Sequence, residues 1–547
     1  MLRIVNGRVY DPANNIDGEV QELCIRDGRI VATVPPEAKR IDATGMVIMP
    51  GGIDIHCHIA GPKVNLARKL QPEDHRLDVH PGTPFTRSGT GGIVPSTFAT
   101  GYRYATLGYT TAMEAAVPPI GARHVLEEMH DTPVIDKGFY VLLGNNVFLY
   151  RLLKEGRMDE FREAIAWWVN STKAYGVKLV NTGSDELWKG RRNANITDLN
   201  ETIDNFGLTP LQIIKAFIEM VNALGLPHPP HIHCNNLGHS GNYTTTLDTM
   251  RAAEDRRVHI AHIQFHSYGG EPGKNPTSKA AEIIDYLNRH PNITADVGQV
   301  MFGKATAMTA DAPLAYMLRR ISGNKWANAD TEFESGCGIV PFSYQERVYM
   351  HALQWAIGLE LFLLSKDPWR LVLSTDHPNG GSFMMYPRLI RLLMDREFRN
   401  EQIRQINQRA IRKTVLSDLS REYTLQEIAI ITRAGPARAL GLQHKGHLGI
   451  GADADLTLYE EHEDKEKMFS APRYVIKDGQ LIIEDYEFRA DHEGRILHVA
   501  PDYGPAIEKA IQPFFEEFYS IRFDNYAVPD HYLHHQQVIP TMHQSAS

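Results

Sequence analysis

The stretch Val47-Ile48-Met49-Pro50-Gly51-Gly52-Ile53-Asp54-Ile55-His56-Cys57-His58 decides how the rest of the chain is read. An apolar run of strand character ends in two histidines two residues apart. Strand side chains repeat every two residues, so both imidazoles leave the same face. Two ligands at one strand end point to a metal. The Pro-Gly-Gly punctuation before Ile53 marks the place where a small module hands the chain to the first strand of a larger one.

Upstream of that entry, residues 1–50 alternate and turn quickly, with Asn6-Gly7 and Asp27-Gly28 between apolar runs as hairpin signals. The same texture returns at 441–490, around Asp453-Ala454-Asp455 and Asp478-Gly479. One small β-sandwich built from both ends is expected, closing around a central insert at 51–440. Residues 491–547 form a C-terminal extension rich in aromatic pairs (Phe514-Phe515, Phe518-Tyr519), expected to pack on the surface or on a partner.

The insert pairs short apolar runs with amphipathic segments. Strands are expected at 138–144, 176–180, 230–234, 258–264, 293–297 and 369–376, and helices at 122–130, 159–175, 211–224, 247–255, 280–289 and 345–366. Repeated strand–helix units give a parallel α/β architecture. A TIM-like (β/α)8 barrel is the first choice and an open doubly wound sheet the second. Residues 60–99, rich in Gly, Pro and Thr, read as one long functional or mobile loop.

Size and composition narrow the function. A chain of 547 residues exceeds the roughly 250–300 residues that one core usually supports, so a large domain with accessories is expected. A net charge of −9 over that length gives no footing for nucleic acid. The start Met1-Leu2-Arg3-Ile4 has neither the basic region nor the apolar stretch of a signal peptide, and no run approaches the roughly 20 apolar residues of a membrane span, so a cytoplasmic location is expected. Cys24, Cys57, Cys234 and Cys337 form no CxxC pair and read as free thiols.

Chemistry in a parallel barrel gathers at the C-terminal ends of the strands. Those ends carry His56 and His58, Lys178, His231 or His233, His262, and Asp376. Imidazoles with a carboxylate suit zinc. An ammonium at Lys178 would repel the metal, whereas a carbamate formed with CO2 would turn it into a bridging carboxylate.

This pattern resembles the amidohydrolase superfamily, and within it the A-type components of formylmethanofuran dehydrogenase and of the bacterial formyltransferase/hydrolase complex. The resemblance rests on Pro50–His58, Tyr175-Gly176-Val177-Lys178, His231-Ile232-His233-Cys234-Asn235-Asn236, His259-Ile260-Ala261-His262, Ser374-Thr375-Asp376-His377-Pro378 and Gly451-Ala452-Asp453-Ala454-Asp455. It implies two Zn2+ ions and a carboxylated Lys178. His56 and His58 would bind one zinc, Lys178 would bridge, His233 (or His231) and His262 would bind the second, and Asp376 would complete the first and carry the proton. His259, His266 and His377 would orient or support. The implied substrate is the N-formyl amide of a furan-type C1 carrier, methanofuran or methylofuran, in a hetero-oligomer with B, C and D subunits. Lys63, Arg68 and Lys69, with Arg76 and Arg87, are candidates to grip an acidic carrier tail. A cyclic amidase of the dihydroorotase or hydantoinase kind shares the metal site and is the alternative, as is the formate-condensing direction.

Overall fold

The two glycines at the domain entry are there because nothing larger fits. A Cβ on Gly51 would lie 2.2 Å from Thr110 Oγ1, and one on Gly52 would lie 2.7 Å from the ring of Tyr109. The computed structural model describes residues 1–76, 78–184, 186–187, 196, 198–271, 274–331 and 334–543.

Beyond Gly51 the chain lays down Gly52–Cys57, Tyr109–Val117, Asp136–Leu142, Gly176–Val180, His231–His233, Val258–Ile260, Ile293–Asp296 and Leu371–Val372. Each runs parallel to the next. The last returns to the first, since Cys57 bridges His377 and the His58 N–H donates to His377 O at 2.7 Å. The sheet is a closed (β/α)8 barrel, and the open alternative falls. Its strands are buried along almost their whole length, as both faces of a parallel sheet must be.

Strands from both termini form one nine-stranded sheet. Its long first strand, Leu2–Asp11, pairs with Lys39–Asp42 along one half and with Met46–Pro50 along the other. Met46–Pro50 in turn pairs with Leu456–Glu460. Leu2, Ile4, Val9, Ile25, Ile48 and Leu456 share its core.

Where this module meets the barrel, three buried carboxylates, a fourth that is half-buried and three cations interlock. Lys445 Nζ lies 2.5 Å from Asp136, 3.1 Å from Asp453 and 2.6 Å from Asp455. Lys477 and Arg495 close the remaining gaps and reach Asp478. Asp136 opens the third barrel strand, Asp453 and Asp455 belong to the small module, and Arg495 to the extension, so one charge network ties three parts together.

One expectation changes, a segment without a reading gains one, and the extension takes the first of its two alternatives. Residues 60–99 are not one loop: Pro62–Leu70 is a helix, Val79–His80 pairs with Gly89–Thr90, and a second helix begins at Thr97. Residues 303–344, which carry no strong periodic signal, form a cap: strands Gly303–Thr309, Ala327–Thr331 and Glu334–Tyr344 with helix Ala312–Ser322. Cap and first helix share Val64, Ala67, Met308 and Ile339. The extension packs on this chain itself, with Ile496–His498 joining the barrel sheet beside Lys137 and Trp167 stacking on Phe523 and Tyr526. Cys24, Cys57 and Cys234 are free and buried, whereas the side chain of Cys337 lies outside the described residues. Among the described residues no helix is long and apolar enough to cross a membrane.

Candidate metal centre

The C-terminal ends of the barrel strands open into a cavity of ≈ 210 Å³. Its floor holds His56, His58, Lys178, His233, His262 and Asp376. His231, the alternative to His233, does not line it. Two strand steps of roughly 3.3 Å each separate the two fates: His233 reaches the cavity, and His231 stays a layer below it.

His56 and His58 converge as strand periodicity requires. Both Nε2 atoms face Asp376 Oδ1, at 3.1 and 3.2 Å, and these residues form one group with metal-ligand spacing. A second group, sharing no member with the first, joins His233, His262 and His266. Between them Lys178 is 1 % exposed. Burial pushes its amine down to about 7, against the pull of Asp296 and Asp376, so a neutral amine able to take up CO2 is accessible near neutral pH.

The donor set fits a metal on its own terms. Lys178 Nζ, His262 Nδ1 and both ring nitrogens of His266 are buried without a hydrogen-bond partner. Folded proteins rarely tolerate such a concentration of orphaned polar atoms, and ligation satisfies them. His262 and Asp376 also hold positive φ angles, 31° and 49°, a conformation that costs a non-glycine residue of order 1–3 kcal/mol and that surrounding structure must impose.

Behind the floor, a layer of partners fixes the imidazoles. His58 Nδ1 lies 2.9 Å from Glu114 Oε1. Glu114 also accepts from Ile59 N at 2.7 Å and Ala60 N at 3.1 Å and pairs with Lys63 at 2.7 Å. Burial alone would raise this carboxyl; Lys63 and His58 outweigh it and hold it at about 2. Asp296 serves His56 Nδ1 and His259 Nε2, each at 3.2 Å, and accepts from Ser374 Oγ. It too stays well below the ordinary carboxylate range, its two histidines overriding its burial.

A longer relay sets the tautomer of His56. Ala439 O can only accept, so His228 Nδ1, at 2.8 Å, carries a proton. Burial holds His228 and His231 well below the imidazole range, so both are neutral. The bare His228 Nε2 then accepts from His231 Nδ1 at 3.0 Å, and the bare His231 Nε2 from His56 Nδ1 at 2.8 Å. The lone pair of His56 is left on Nε2, facing the cavity. His231 therefore spends both nitrogens as an orienter.

Glu114 and Asp296 were not singled out in the sequence, and His228, which stands in a tight histidine group with His231 and His233, was given no role. The first two had a signal, since each is a lone carboxylate within or ending an otherwise uncharged strand. Of the basic candidates, Lys63 is spent on Glu114, and Arg68 on Glu128 at 2.9 Å and Pro95 O. Arg87 caps the ring of Phe98, whereas Lys69 and Arg76 are exposed. His259 supports Asp296 as expected, and His377 lends its carbonyl to barrel closure.

Comparison with known proteins identifies the family of the chain. The model of an amidohydrolase family matches residues 39–483. Protein FwdA of Methanocaldococcus jannaschii is 42% identical over 98% of both chains. The A component of the formyltransferase/hydrolase complex Fhc of Methylorubrum extorquens is 40% identical over 97% of both. The crystal structure of the FhcABCD complex from Methylorubrum extorquens with methylofuran superposes with a TM-score of 0.93 at 37% identity, covering 99% of each chain. The chain belongs to the amidohydrolase family and is a metal-dependent hydrolase.

Proposed function

We propose that this chain cleaves the N-formyl amide of a furan-type C1 carrier, formylmethanofuran or formylmethylofuran, to formate and the free amine. It does so as the A-type component of a complex with B, C and D subunits. The observation that carries this reading is that His56, His58, Lys178, His233, His262 and Asp376 line one cavity in a chain 40% identical, over 97% of both chains, to the A component of Fhc.

His56, His58 and Asp376 would hold one Zn2+, His233 and His262 the other, and a carboxylated Lys178 would bridge them. Zinc, when bound, supplies a nucleophile at neutral pH by acidifying water and polarises the carbonyl under attack. The chain's own residues do the rest. Asp376 stays ionised, since His262 and His56 overcome its burial, and its Oδ1 sits among the ligating imidazoles. It accepts the proton of the attacking water and delivers it to the departing nitrogen.

Above this floor the walls turn apolar, with Leu314, Met317 and Leu318 of the cap helix, Phe342 and Met350. They exclude bulk water and accept the aromatic body of a carrier. At the rim, Ile321 and Val348 line the cavity yet are 76% and 37% exposed. Exposed apolar groups at a cavity mouth suit both entry of a long carrier and cover by a partner protein.

Lys178→Ala, assayed together for zinc content and N-formyl amine hydrolysis, tests the bridge: bound zinc with full activity would reject it. Turnover of hydantoin or dihydroorotate without deformylation would replace the substrate with a cyclic amide.

A further inference from the structure

We infer that His266 is a ligand of the second metal, giving that ion three imidazoles, His233, His262 and His266, beside the bridge from Lys178. The inference rests on the two-metal reading above and goes beyond it. Geometry carries it. One ligand atom from each of these three residues lies within 4.8 Å of the other two.

The state of His266 is the second observation. It is 0% exposed, and neither ring nitrogen has a hydrogen-bond partner. A neutral imidazole always has a donor and an acceptor to satisfy. Leaving both bare in a dry interior costs about 1–3 kcal/mol for each group. The other histidines at this end of the barrel do not share that condition: His58 has Glu114, His231 has His228 and His56, and His259 has Thr294 and Asp296. Its ring contacts are imidazoles, with centroids 5.2 Å from those of both His233 and His262. A metal is the group that accepts a lone pair from each of three neighbouring imidazoles at once.

Local structure explains how it gets there. The sixth barrel strand ends at Ile260, and His262 takes the left-handed conformation that caps the 3-10 turn Ile263–His266. That turn brings His266 back beside His262. The two rings stack with an interplanar angle of 27°.

The proposal separates the two metals chemically. The first has two imidazoles and the Asp376 carboxylate, and the second has three neutral imidazoles, so the first is the more electron-rich position.

The test is binding of Co2+ to the full-length metal-free chain, followed by metal stoichiometry and visible absorption. Wild type is expected to take two ions. His266→Phe keeps the ring volume and is expected to hold the first ion while its affinity for the second falls by more than the ~10–100-fold that loss of a mere orienting partner costs. His266→Cys is expected to give a near-ultraviolet thiolate-to-cobalt band, which no packing role produces. Two ions bound by His266→Phe as tightly as by wild type overturn the inference and leave the two-metal reading standing. No cobalt bound by wild type overturns both. Should His266→Phe fail to fold, the band decides: its absence from a folded, cobalt-loaded His266→Cys chain overturns the inference.

Discussion

Replacing His228 by Phe probes the site from a position that touches neither cavity nor metal. The ring volume stays, and so does stacking on Tyr140, whose centroid lies 4.9 Å from that of His228 at an interplanar angle of 19°. What disappears is the acceptor for His231 Nδ1 at 3.0 Å and the donor to Ala439 O at 2.8 Å. His231 is then free to move its proton to Nε2, which lies 2.8 Å from His56 Nδ1. In that state His56 is pressed to place its own proton on Nε2, where the metal needs a lone pair. Asp296, 3.2 Å from His56 Nδ1 and ionised, opposes the switch by holding the proton on Nδ1. The relay bond contributes about 1 kcal/mol, roughly five- to tenfold in metal affinity, so the loss should sit at the low end of the ~10–100-fold range for outer partners. His228→Gln, which can donate to Ala439 O and accept from His231, should retain most of the affinity. The assay is zinc competition with a chelator on the full-length chain, with thermal unfolding measured on the metal-free forms. Wild-type zinc affinity in a folded His228→Phe chain would refute the relay. A Tm loss shared equally by the Phe and Gln variants, with affinity unchanged in both, would reduce His228 to packing.

Asp376→Asn should keep metal within about tenfold while turnover falls by ~10²–10⁴, the usual worth of a positioned proton carrier; equal losses in zinc content and rate would mean its ligand role dominates. Lys445→Met leaves Asp136, Asp453 and Asp455 facing one another without their shared cation and should cost about 3–5 kcal/mol, as broken buried pairs do; a denaturant midpoint equal to wild type would show that Lys477 and Arg495 suffice. Glu360 is 1% exposed, and burial pushes its carboxyl up to about 7 despite Ser278 and Val415. A carboxyl raised above its unfolded value favours the folded state fully below that value and loses the advantage as pH rises through 7, a swing of about 3 kcal/mol at ~1.4 kcal/mol per pH unit. Glu360→Gln should therefore flatten the fall in Tm between pH 5 and 8, and an unchanged slope would show that the carboxyl does not titrate there.

What was legible in the sequence follows from what periodicity encodes. Period two puts His56 and His58 on one face whatever the surroundings, and alternating strand and helix signals fix a parallel sheet. Depth along a strand is not encoded. His231 and His233 share a face, and only the barrel's closure decides that one lines the cavity while the other orients His56 from below. Direction of use is equally hidden: Arg68 reads as a free cation in a polar loop, yet the helix at Pro62–Leu70 turns it onto Glu128. The cap at 303–344 escaped because, among the described residues, its strands form a small sheet of their own, outside the barrel, on which its helix packs while also lining the cavity. Sequence did carry one further signal. A carboxylate in an otherwise uncharged strand is too costly to keep without a charged or donating partner, and Glu114 and Asp296 are two such cases. Each stands behind one histidine of the opening pair, Glu114 behind His58 and Asp296 behind His56. The His56-Cys57-His58 stretch and those two acids thus state the same fact: two imidazoles whose Nδ1 protons are fixed by buried anions can only present Nε2 lone pairs to the cavity, and that is the chemistry a metal requires.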